Sequence, residues 1–381
     1  MKKRIYLDTA AGWANPSSIH QEGMAARKRL EEARRSVAEF LGAHPDEIVF
    51  TSGGTESNNL AIFGTGHRML KMPQHPMSGI VTSAIEHPSV LNACIRLEGE
   101  EELVTYLPVN SDGLIDPKIL VEKLKPETRL VTLHYANSEI GVVQPVAEII
   151  KVIRKHRKNL SVGSQVTQQL PYFHLDACQA TRFFDLKVAK LGVDLLTLNG
   201  GKIYGPEGSG VLYVRRGIKL KPMFVGGGQE NGRRSGTENL PAILEFAKAL
   251  VLCEKLREKE TARLTKLRDY FIKELLKIPH TVLNGSASAR TPHNVNVSFL
   301  GAHREYVVLA LDAKGVACSS GSACSARSDS ASYVLKSLGA DDARANSAVR
   351  FTIARDTTKA DLNYVLKILP PLLTRARKYQ G

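Results

Sequence analysis

Residues 194–213 read D-L-L-T-L-N-G-G-K-I-Y-G-P-E-G-S-G-V-L-Y, and this stretch decides the fold. Apolar runs at 194–198 and 210–215 enclose a cluster of glycines and one proline. Apolar segments separated in this way predict two strands joined by a tight turn. Lys202 lies on that turn, with glycines on both sides.

Lys202 has two interpretations. Most lysines are solvated surface residues, and a turn is an ordinary place for one. Here, however, the neighbouring glycines would let a flat ligand approach the backbone, and the apolar strands are expected to hold the amine away from bulk water. Because an amine in such surroundings is more often neutral, Lys202 is a candidate Schiff-base nucleophile.

The composition is typical of a globular protein. The chain has 381 residues, of which 43% are hydrophobic and 24% are charged. That length suits two or three domains with a large core. No apolar run approaches the roughly 20 residues that cross a bilayer. The basic N-terminus is interrupted by Asp8 before a long apolar region forms, which argues against a secretory signal. We therefore expect a cytoplasmic protein without a membrane partner.

Charge and cysteine usage limit the possible binding partners, the cellular compartment and the metal sites. The formal net charge is +14, but Lys and Arg alternate with acids along segments such as 255–277. This favours solvated faces over direct nucleic-acid binding. The five cysteines are odd in number and far apart, which favours a reducing compartment over a disulfide framework. None has zinc-ligand spacing, so no metal site is predicted.

Strands and helices alternate between residues 47 and 176. This alternation indicates an α/β domain with a mainly parallel sheet. Ligands of such sheets bind at the carboxyl ends of the strands. The polar residues predicted at or just after strand ends are His87, Asn137, Asp176, Gln179 and Lys202.

A phosphate-binding turn is predicted after the strand 47–51. The chain continues T-S-G-G-T-E-S-N-N, and the residues from Thr55 onward suit a helix. Strand, glycine turn and helix together direct backbone N–H groups and the positive end of the helix dipole toward an anion. Thr55 is either a phosphate ligand or a plain N-cap, and this stretch alone favours neither.

The second half of the chain differs in pattern. A polar, glycine-rich segment at 226–239 leads into a long predicted helix, and shorter strands and helices follow. We assign residues 14–239 to a large cofactor-binding domain. Residues 1–13, with a strand at 5–8, and residues 240–381 are assigned to a smaller α+β domain.

Three further residues complete a pattern typical of a pyridoxal phosphate site. Asp176, at a predicted strand end, either caps a turn or holds a proton on a pyridine nitrogen. Gln179 could reach a ring oxygen from the same turn. His87 could stack on a planar ring or cap the helix that begins at Pro88. With the phosphate turn and Lys202, these residues are consistent with one bound pyridoxal 5′-phosphate.

Six motifs follow in order along the chain: F-T-S-G-G-T-E-S-N-N, E-H-P-S-V-L, H-L-D-A-C-Q, G-K-I-Y-G-P-E-G-S-G-V-L-Y-V-R, G-G-G-Q-E-N-G-R-R-S-G-T-E-N and S-S-G-S-A-C-S. With them the chain resembles the cysteine desulfurases, which supply sulfur for iron–sulfur clusters and thiolated RNA. The resemblance covers nearly the whole chain. It implies a homodimeric pyridoxal phosphate enzyme of fold-type I, an α/β transferase with a large and a small domain.

The resemblance also implies a role for each matching residue. Lys202 would hold the cofactor covalently and, with His87, would move substrate protons. The residues expected at the cofactor are Gly54, Thr55, His87, Asn137, Ser138, Asp176, Gln179, Asn199, Gly201 and Lys202, with Thr237 reaching the phosphate of the neighbouring subunit. Asn199 and Gly201 replace a serine and a histidine that bind phosphate in the family, and Ser138 replaces a ring-contacting asparagine.

Cys324 and Arg350 are the residues expected at the substrate. Cys324 matches the nucleophilic cysteine of the family, and Arg350 matches the arginine that binds the substrate carboxylate. A chance cysteine and a surface arginine are the alternatives. The resemblance implies that L-cysteine becomes L-alanine, while a persulfide on Cys324 passes sulfur to an acceptor such as an iron–sulfur scaffold or a tRNA-thiolation relay protein. The other four cysteines are predicted to be inert packing residues.

Two other functions stay open at this point. A selenocysteine lyase or an aminotransferase would keep the fold and the cofactor, but transamination does not need Cys324. A scaffold that binds sulfur-transfer partners and little cofactor would account for Gly201, Ser138 and the positive charge.

Overall fold

The computed structural model describes residues 4–65, 79–100, 102–161, 170–321 and 331–378. Helices and strands up to residue 214 are α1 (Gln21–Leu41), β1 (Ile48–Thr51), α2 (Gly54–Gly64), β2 (Gly79–Ser83), α3 (Pro88–Glu98), β3 (Leu103–Leu107), α4 (Pro117–Lys123), β4 (Thr128–His134), α5 (Val146–Ser161), β5 (Tyr172–Asp176), α6 (Val188–Leu191), β6 (Leu195–Asn199) and β7 (Gly210–Val214). Those that follow are α7 (Leu240–Leu275), β8 (Thr281–Leu283), β9 (Asn294–Phe299), α8 (Arg304–Asp312), α9 (Tyr333–Ser337), α10 (Asp342–Asn346), β10 (Ala348–Thr352) and α11 (Lys359–Lys378).

The larger sheet has the order β1-β7-β6-β5-β4-β2-β3 within the described residues. Its strands from β2 to β6 pair in parallel, whereas β7 is antiparallel to both β6 and β1. The predicted α/β class with a mainly parallel sheet is therefore confirmed. In this register His134 lies opposite Asp176, so two polar strand ends meet at one edge of the sheet.

The large sheet is buried on both faces. Successive residues of each strand point to opposite faces, so each strand contributes to two apolar clusters. Phe173 and Leu175 belong to one apolar cluster, with α1, α5 and the first half of α7. Tyr172 belongs to a second cluster, with α2 and α3. Near-continuous apolar runs such as Leu195–Leu198 are the expected sequence of strands in a covered parallel sheet.

A smaller antiparallel sheet, ordered β10-β9-β8, forms the centre of the second unit. Its core includes residues of α8, α11 and the second half of α7. Helix α7 has 36 residues and is therefore about 54 Å long. Phe246 belongs to the core of the large sheet and Phe271 to the core of the small one, so this helix links the two units.

The N-terminal segment differs from its prediction. Residues 4–8 form no strand; Ile5 and Leu7 are exposed. Instead the segment is held by polar contacts near the start of α1: Arg4 Nε donates to Glu22 Oε1 at 2.8 Å, and the His20 ring lies 3.0 Å from Asp8 Oδ2. The assignment of residues 1–13 to the smaller domain stays a prediction.

A buried ion pair fixes the glycine-rich segment 226–239 to the large unit. Both terminal nitrogens of Arg34, on α1, donate to the Glu230 carboxylate at 2.8 Å, and that carboxylate also accepts from the Phe50 N–H at 2.9 Å. The Glu230 side chain is only 1% exposed. Glu230 and Asn231 have φ angles of +50° and +55°, so the backbone there is strained and the ion pair helps to hold it.

Replacement of Glu230 by glutamine tests this anchor. Because Glu230→Gln removes the buried carboxylate and leaves Arg34 only its pair with the partly exposed Glu31 at 3.2 Å, we expect the free energy of unfolding to fall by about 3–5 kcal/mol. Urea denaturation followed by circular dichroism measures the change. The matched control is Glu245→Gln, which breaks the exposed pair with Lys248 and should cost under about 1 kcal/mol. Equal effects of the two variants would contradict the anchoring role.

Candidate active site

A cavity of about 370 Å³ lies at the carboxyl ends of the strands of the large sheet and is also lined by the second unit. The predicted site residues that line it are Gly54, Thr55, His87, Asn137, Ser138, Asp176, Gln179, Asn199, Gly201, Lys202 and Arg350. The parallel strand order explains the convergence, since β2, β4, β5 and β6 all end at this edge.

Two predicted site residues are not among those lining the cavity. Thr237 is exposed and does not line it. Cys324 lies in 322–330, outside the described residues.

The N-terminus of α2 forms an anion-binding end of the cavity. Helix α2 has 11 residues and starts directly after Gly53, whose φ of +147° suits only glycine. Position 54 also requires glycine, because a Cβ there would lie 2.8 Å from Cys178 Sγ. The first N–H groups of a helix have no partner within it, so those at Gly54 and Thr55 can receive a phosphate.

Asn199 adds a side-chain donor beside this helix end. Its Oδ1 accepts from the Gly201 N–H at 3.0 Å, which leaves Nδ2 to donate. A Cβ at position 54 would lie 3.2 Å from that Nδ2, so the amide borders the start of α2. At Gly201 a Cβ would meet nothing closer than 3.5 Å, so packing does not require a glycine there.

Asp176 lies at the end of β5 and is held as a carboxylate. Its Oδ2 accepts from Asn58 Nδ2 at 2.7 Å, and its Oδ1 accepts from the Cys178 N–H at 3.0 Å. Burial alone would raise the pKa of Asp176, but these hydrogen bonds and the nearby His87 lower it below its ordinary value. A buried, fixed carboxylate of this kind can hold a proton on a pyridine nitrogen.

Asn58 was missed by sequence reasoning. Its Nδ2 donates to Ser89 Oγ as well as to Asp176, and its buried Oδ1 has no hydrogen-bond partner among the described residues. The available signal was helical spacing, because Asn58 lies one turn after Gly54 and so faces the same side of α2.

His87 has one of the two roles that the sequence allowed, and its stacking on a ring stays a prediction. It is the N-cap of α3, and its Nδ1 accepts from the Ser89 N–H at 3.1 Å. This bond fixes the ring, which also lines the cavity. Below it, His134 and Glu86 form a buried pair at 2.9 Å that the sequence did not predict. Burial lowers the pKa of His134, but the Glu86 carboxylate more than offsets this and raises it.

Lys202 ends the short 3₁₀ turn Gly200–Lys202 that follows β6, as the glycine pattern predicts. The expectation that the flanking strands enclose its amine is wrong: Lys202 is exposed, because the turn extends beyond the end of the sheet. Lys202 lines the cavity and makes no hydrogen bond or ion pair with the residues that the structure describes.

The turn 137–140 joins the cavity to the second unit. Its carbonyl groups at 138, 139 and 140 accept hydrogen bonds from side chains of that unit, which are Arg350, Asn294, Asn296 and Arg290. Asn137 shapes the turn, since its amide donates to the Ile85 carbonyl and accepts from the N–H groups of residues 139 and 140. Arg350, with its Nη1 3.0 Å from the Ser138 carbonyl, is thereby oriented at the cavity.

These residues fit a pyridoxal phosphate. The start of α2 and Asn199 Nδ2 provide donors for a phosphate, and Asp176 provides a carboxylate for a pyridinium. The buried Asn58 Oδ1 is an unused acceptor that also lies at the cavity. Lys202 provides the amine. Among the described residues, no group of three or more His, Cys, Asp or Glu could hold a metal ion. None of the helices in the described ranges is long and apolar enough to span a membrane.

Comparison with known proteins agrees with this geometry. The family model described as Aminotransferase class-V matches residues 4–365. The chain is 41% identical to cysteine desulfurase IscS of Dictyoglomus turgidum, over 99% of this chain and 96% of that protein. The chain belongs to the cysteine desulfurase family. It is also 39% identical to cysteine desulfurase IscS 1 of Archaeoglobus fulgidus, over 96% of this chain and 91% of the relative.

Solved structures of the same fold are also similar to this chain. A structure titled NifS-like protein has a TM-score of 0.85 at 29% identity and covers 95% of this chain and 92% of its own. A structure titled SspA in complex with cysteine has a TM-score of 0.75 at 35% identity, with 89% and 90% covered. The predicted fold-type I and the pyridoxal phosphate dependence are therefore confirmed, and the chain is a cysteine desulfurase.

The described cysteines are poor nucleophiles. Burial raises the pKa of Cys94 to about 12 and that of Cys318 to about 11, and it also raises the pKa values of Cys178 and Cys253. Only the thiolate reacts, so a raised pKa moves the reactive fraction to higher pH. The interpretation of these four as packing residues has this physical basis.

Thiol labelling tests the distinction. Because the four thiols stay protonated, we expect iodoacetamide to modify Cys324 first between about pH 7 and about pH 9. Peptide mass spectrometry measures the rate at each cysteine, and Cys324→Ala is the control that should remove the fast phase. Modification of Cys318 as fast as that of Cys324 at about pH 8 would contradict the assignment.

Proposed function

We propose that this chain removes sulfur from L-cysteine and carries it as a persulfide on Cys324. The observation that supports the proposal is the shared cavity, in which an anion-binding helix end, the ionised Asp176, Lys202 and Arg350 meet. The relative solved with cysteine, 35% identical, supports the same substrate.

Arg350 is proposed to bind the substrate carboxylate. A guanidinium is planar and can donate two parallel hydrogen bonds to a carboxylate. The bond from Arg350 to the Ser138 carbonyl orients that plane at the cavity. A carboxylate held there would keep the substrate amino group toward the other cavity residues, including Lys202.

The cofactor-binding residues are proposed to act from its two ends. Thr55 and Asn199 would bind the phosphate, His87 would stack on the ring, and Gln179 would donate to the ring oxygen. When bound, pyridoxal 5′-phosphate supplies an electron sink for the bonds of the substrate Cα. Asp176 would keep the proton on the ring nitrogen. Lys202 Nζ would take the proton from the substrate Cα.

Cys324 is proposed to accept the sulfur. Its thiolate would attack the substrate Sγ, so that an S–S bond forms while the Cβ–Sγ bond breaks. The electron pair of the broken bond would go to Cβ, which takes a proton, and Lys202 would return a proton to Cα, so that the product is L-alanine. The persulfide would then pass to a thiol of an acceptor protein, such as an iron–sulfur scaffold or a tRNA-thiolation relay protein.

A homodimer is proposed as the active form. Large apolar side chains lie exposed on the isolated chain, including Trp13 at 76% and Val225 at 85%. Val225 precedes the segment that the Arg34–Glu230 pair fixes, and Thr237 lies on that segment. A second copy would cover these side chains, and Thr237 would then reach the phosphate in the neighbouring cavity.

Sulfide release from L-cysteine with a reducing thiol tests the proposal. We expect Cys324→Ala to lose nearly all release while its bound cofactor keeps its visible absorption, because only the sulfur acceptor is missing. Lys202→Ala should lose both the release and that absorption. Cys324→Ala releasing sulfide at the wild-type rate would overturn the persulfide role, and Cys318→Ala, which removes a half-buried thiol, is the matched control.

A further inference from the structure

Two arginines at the edge of the cavity are not used by the proposed function. Arg182 lies on the turn that follows β5, with its guanidinium 4.3 Å from the ring centroid of Tyr204. The guanidinium of Arg355, from the second unit, lies 4.7 Å from the same centroid. Arg182 and Tyr204 both line the cavity.

Arg182 keeps its hydrogen-bond donors available. It is half-buried, yet it makes no hydrogen bond or ion pair with any residue in the described ranges. Stacking on Tyr204 engages the face of a guanidinium and leaves its five in-plane N–H donors unused. The charge of the Glu260 carboxylate acts on Arg182, but Glu260 already forms an ion pair with Arg263 at 3.1 Å.

Tyr204 itself has a strained backbone conformation. Its φ is +60°, a region that costs an aromatic residue about 1–3 kcal/mol. The Arg355 N–H donates to the Tyr204 hydroxyl at 2.9 Å, so both the ring and the hydroxyl contact the same arginine. The contacts of Tyr204 with both guanidinium groups therefore stabilise this strained conformation.

His293 provides an independent observation at the same place. It is 6% exposed, it lines the cavity, and its Nδ1 has no hydrogen-bond partner among the described residues. Burial, together with Arg182, Arg350 and Arg268, lowers the pKa of His293 to about 3, so its ring is neutral. The His293 ring packs against Phe183, with the ring centroids 4.7 Å apart, and Arg182 and Arg350, which also line the cavity, both act on it with positive charge.

We propose that Arg182, with His293, forms a second anion-binding subsite of the cavity, and that the enzyme therefore binds amino acids with a negatively charged group at the end of a short side chain. Arg350 would bind the α-carboxylate, and Arg182 would bind the side-chain anion. The inference rests on the proposed function, because it takes Arg350 as the residue that fixes the α-carboxylate.

L-aspartate and L-asparagine are the probes, because they have nearly the same shape and differ in side-chain charge. Titration calorimetry on the cofactor-loaded enzyme measures both dissociation constants. We expect wild type to bind L-aspartate at least about tenfold more tightly, since a charge-assisted hydrogen bond is worth that much. Arg182→Met should reduce the ratio to near one, and Arg182→Lys, which keeps the charge, should retain part of it.

The ratio separates recognition from a structural role. If Arg182 only supported Tyr204, Arg182→Met would weaken the binding of L-aspartate and L-asparagine equally. The ratio of the two dissociation constants would then stay unchanged, and this result would overturn the inference. A wild-type ratio near one would also overturn it. Sulfide release from L-cysteine by wild type is measured in parallel: release without aspartate preference refutes only this inference, whereas preference without release refutes the desulfuration proposal.

Discussion

The ionised carboxylate of Asp176 is the interaction on which the site depends. A buried carboxylate is stable only when fixed donors compensate for lost water, and here the Cys178 N–H and the Asn58 amide do so. Both donors also lie beside the end of the cavity that is proposed to bind phosphate. Asn58 lies on α2, and Cys178 packs against Gly54, the first residue of that helix. The two ends of the cofactor site are therefore built as one unit.

The second unit completes the site through backbone acceptors. Three successive carbonyl groups of the turn 137–140 receive side chains from the second unit, and Arg350 is one of the donors. The position of Arg350, the arginine proposed to bind the substrate, thus depends on how the two units pack. Helix α7 contributes to both hydrophobic cores, so the relative placement of the units also depends on one continuous element.

Sequence patterns predicted most of this arrangement because the signals were local. The glycines around Lys202, the turn before Thr55 and the strand before Asp176 each determine where one side chain is placed. Contacts between distant segments had no such signal. The Arg34–Glu230 pair joins residues 196 positions apart, and the stacking of Arg182 and Arg355 on Tyr204 joins three segments.

Solvent exposure was also hard to predict. The apolar strands beside Lys202 suggested an enclosed amine, but the 3₁₀ turn carries it past the end of the sheet. An apolar pattern likewise suggested a strand at 5–8, although Ile5 and Leu7 are exposed. Short apolar segments carry no information about whether a neighbouring strand exists to pair with them.

Lys202 is proposed to be the amine that binds the cofactor in the cavity lined by Asp176. Borohydride reduction of the cofactor-loaded enzyme, followed by peptide mapping, measures the attachment site directly. We expect one cofactor-modified peptide per chain, with the modification on Lys202. Modification of a different lysine, or none after reduction of a fully loaded enzyme, would contradict it.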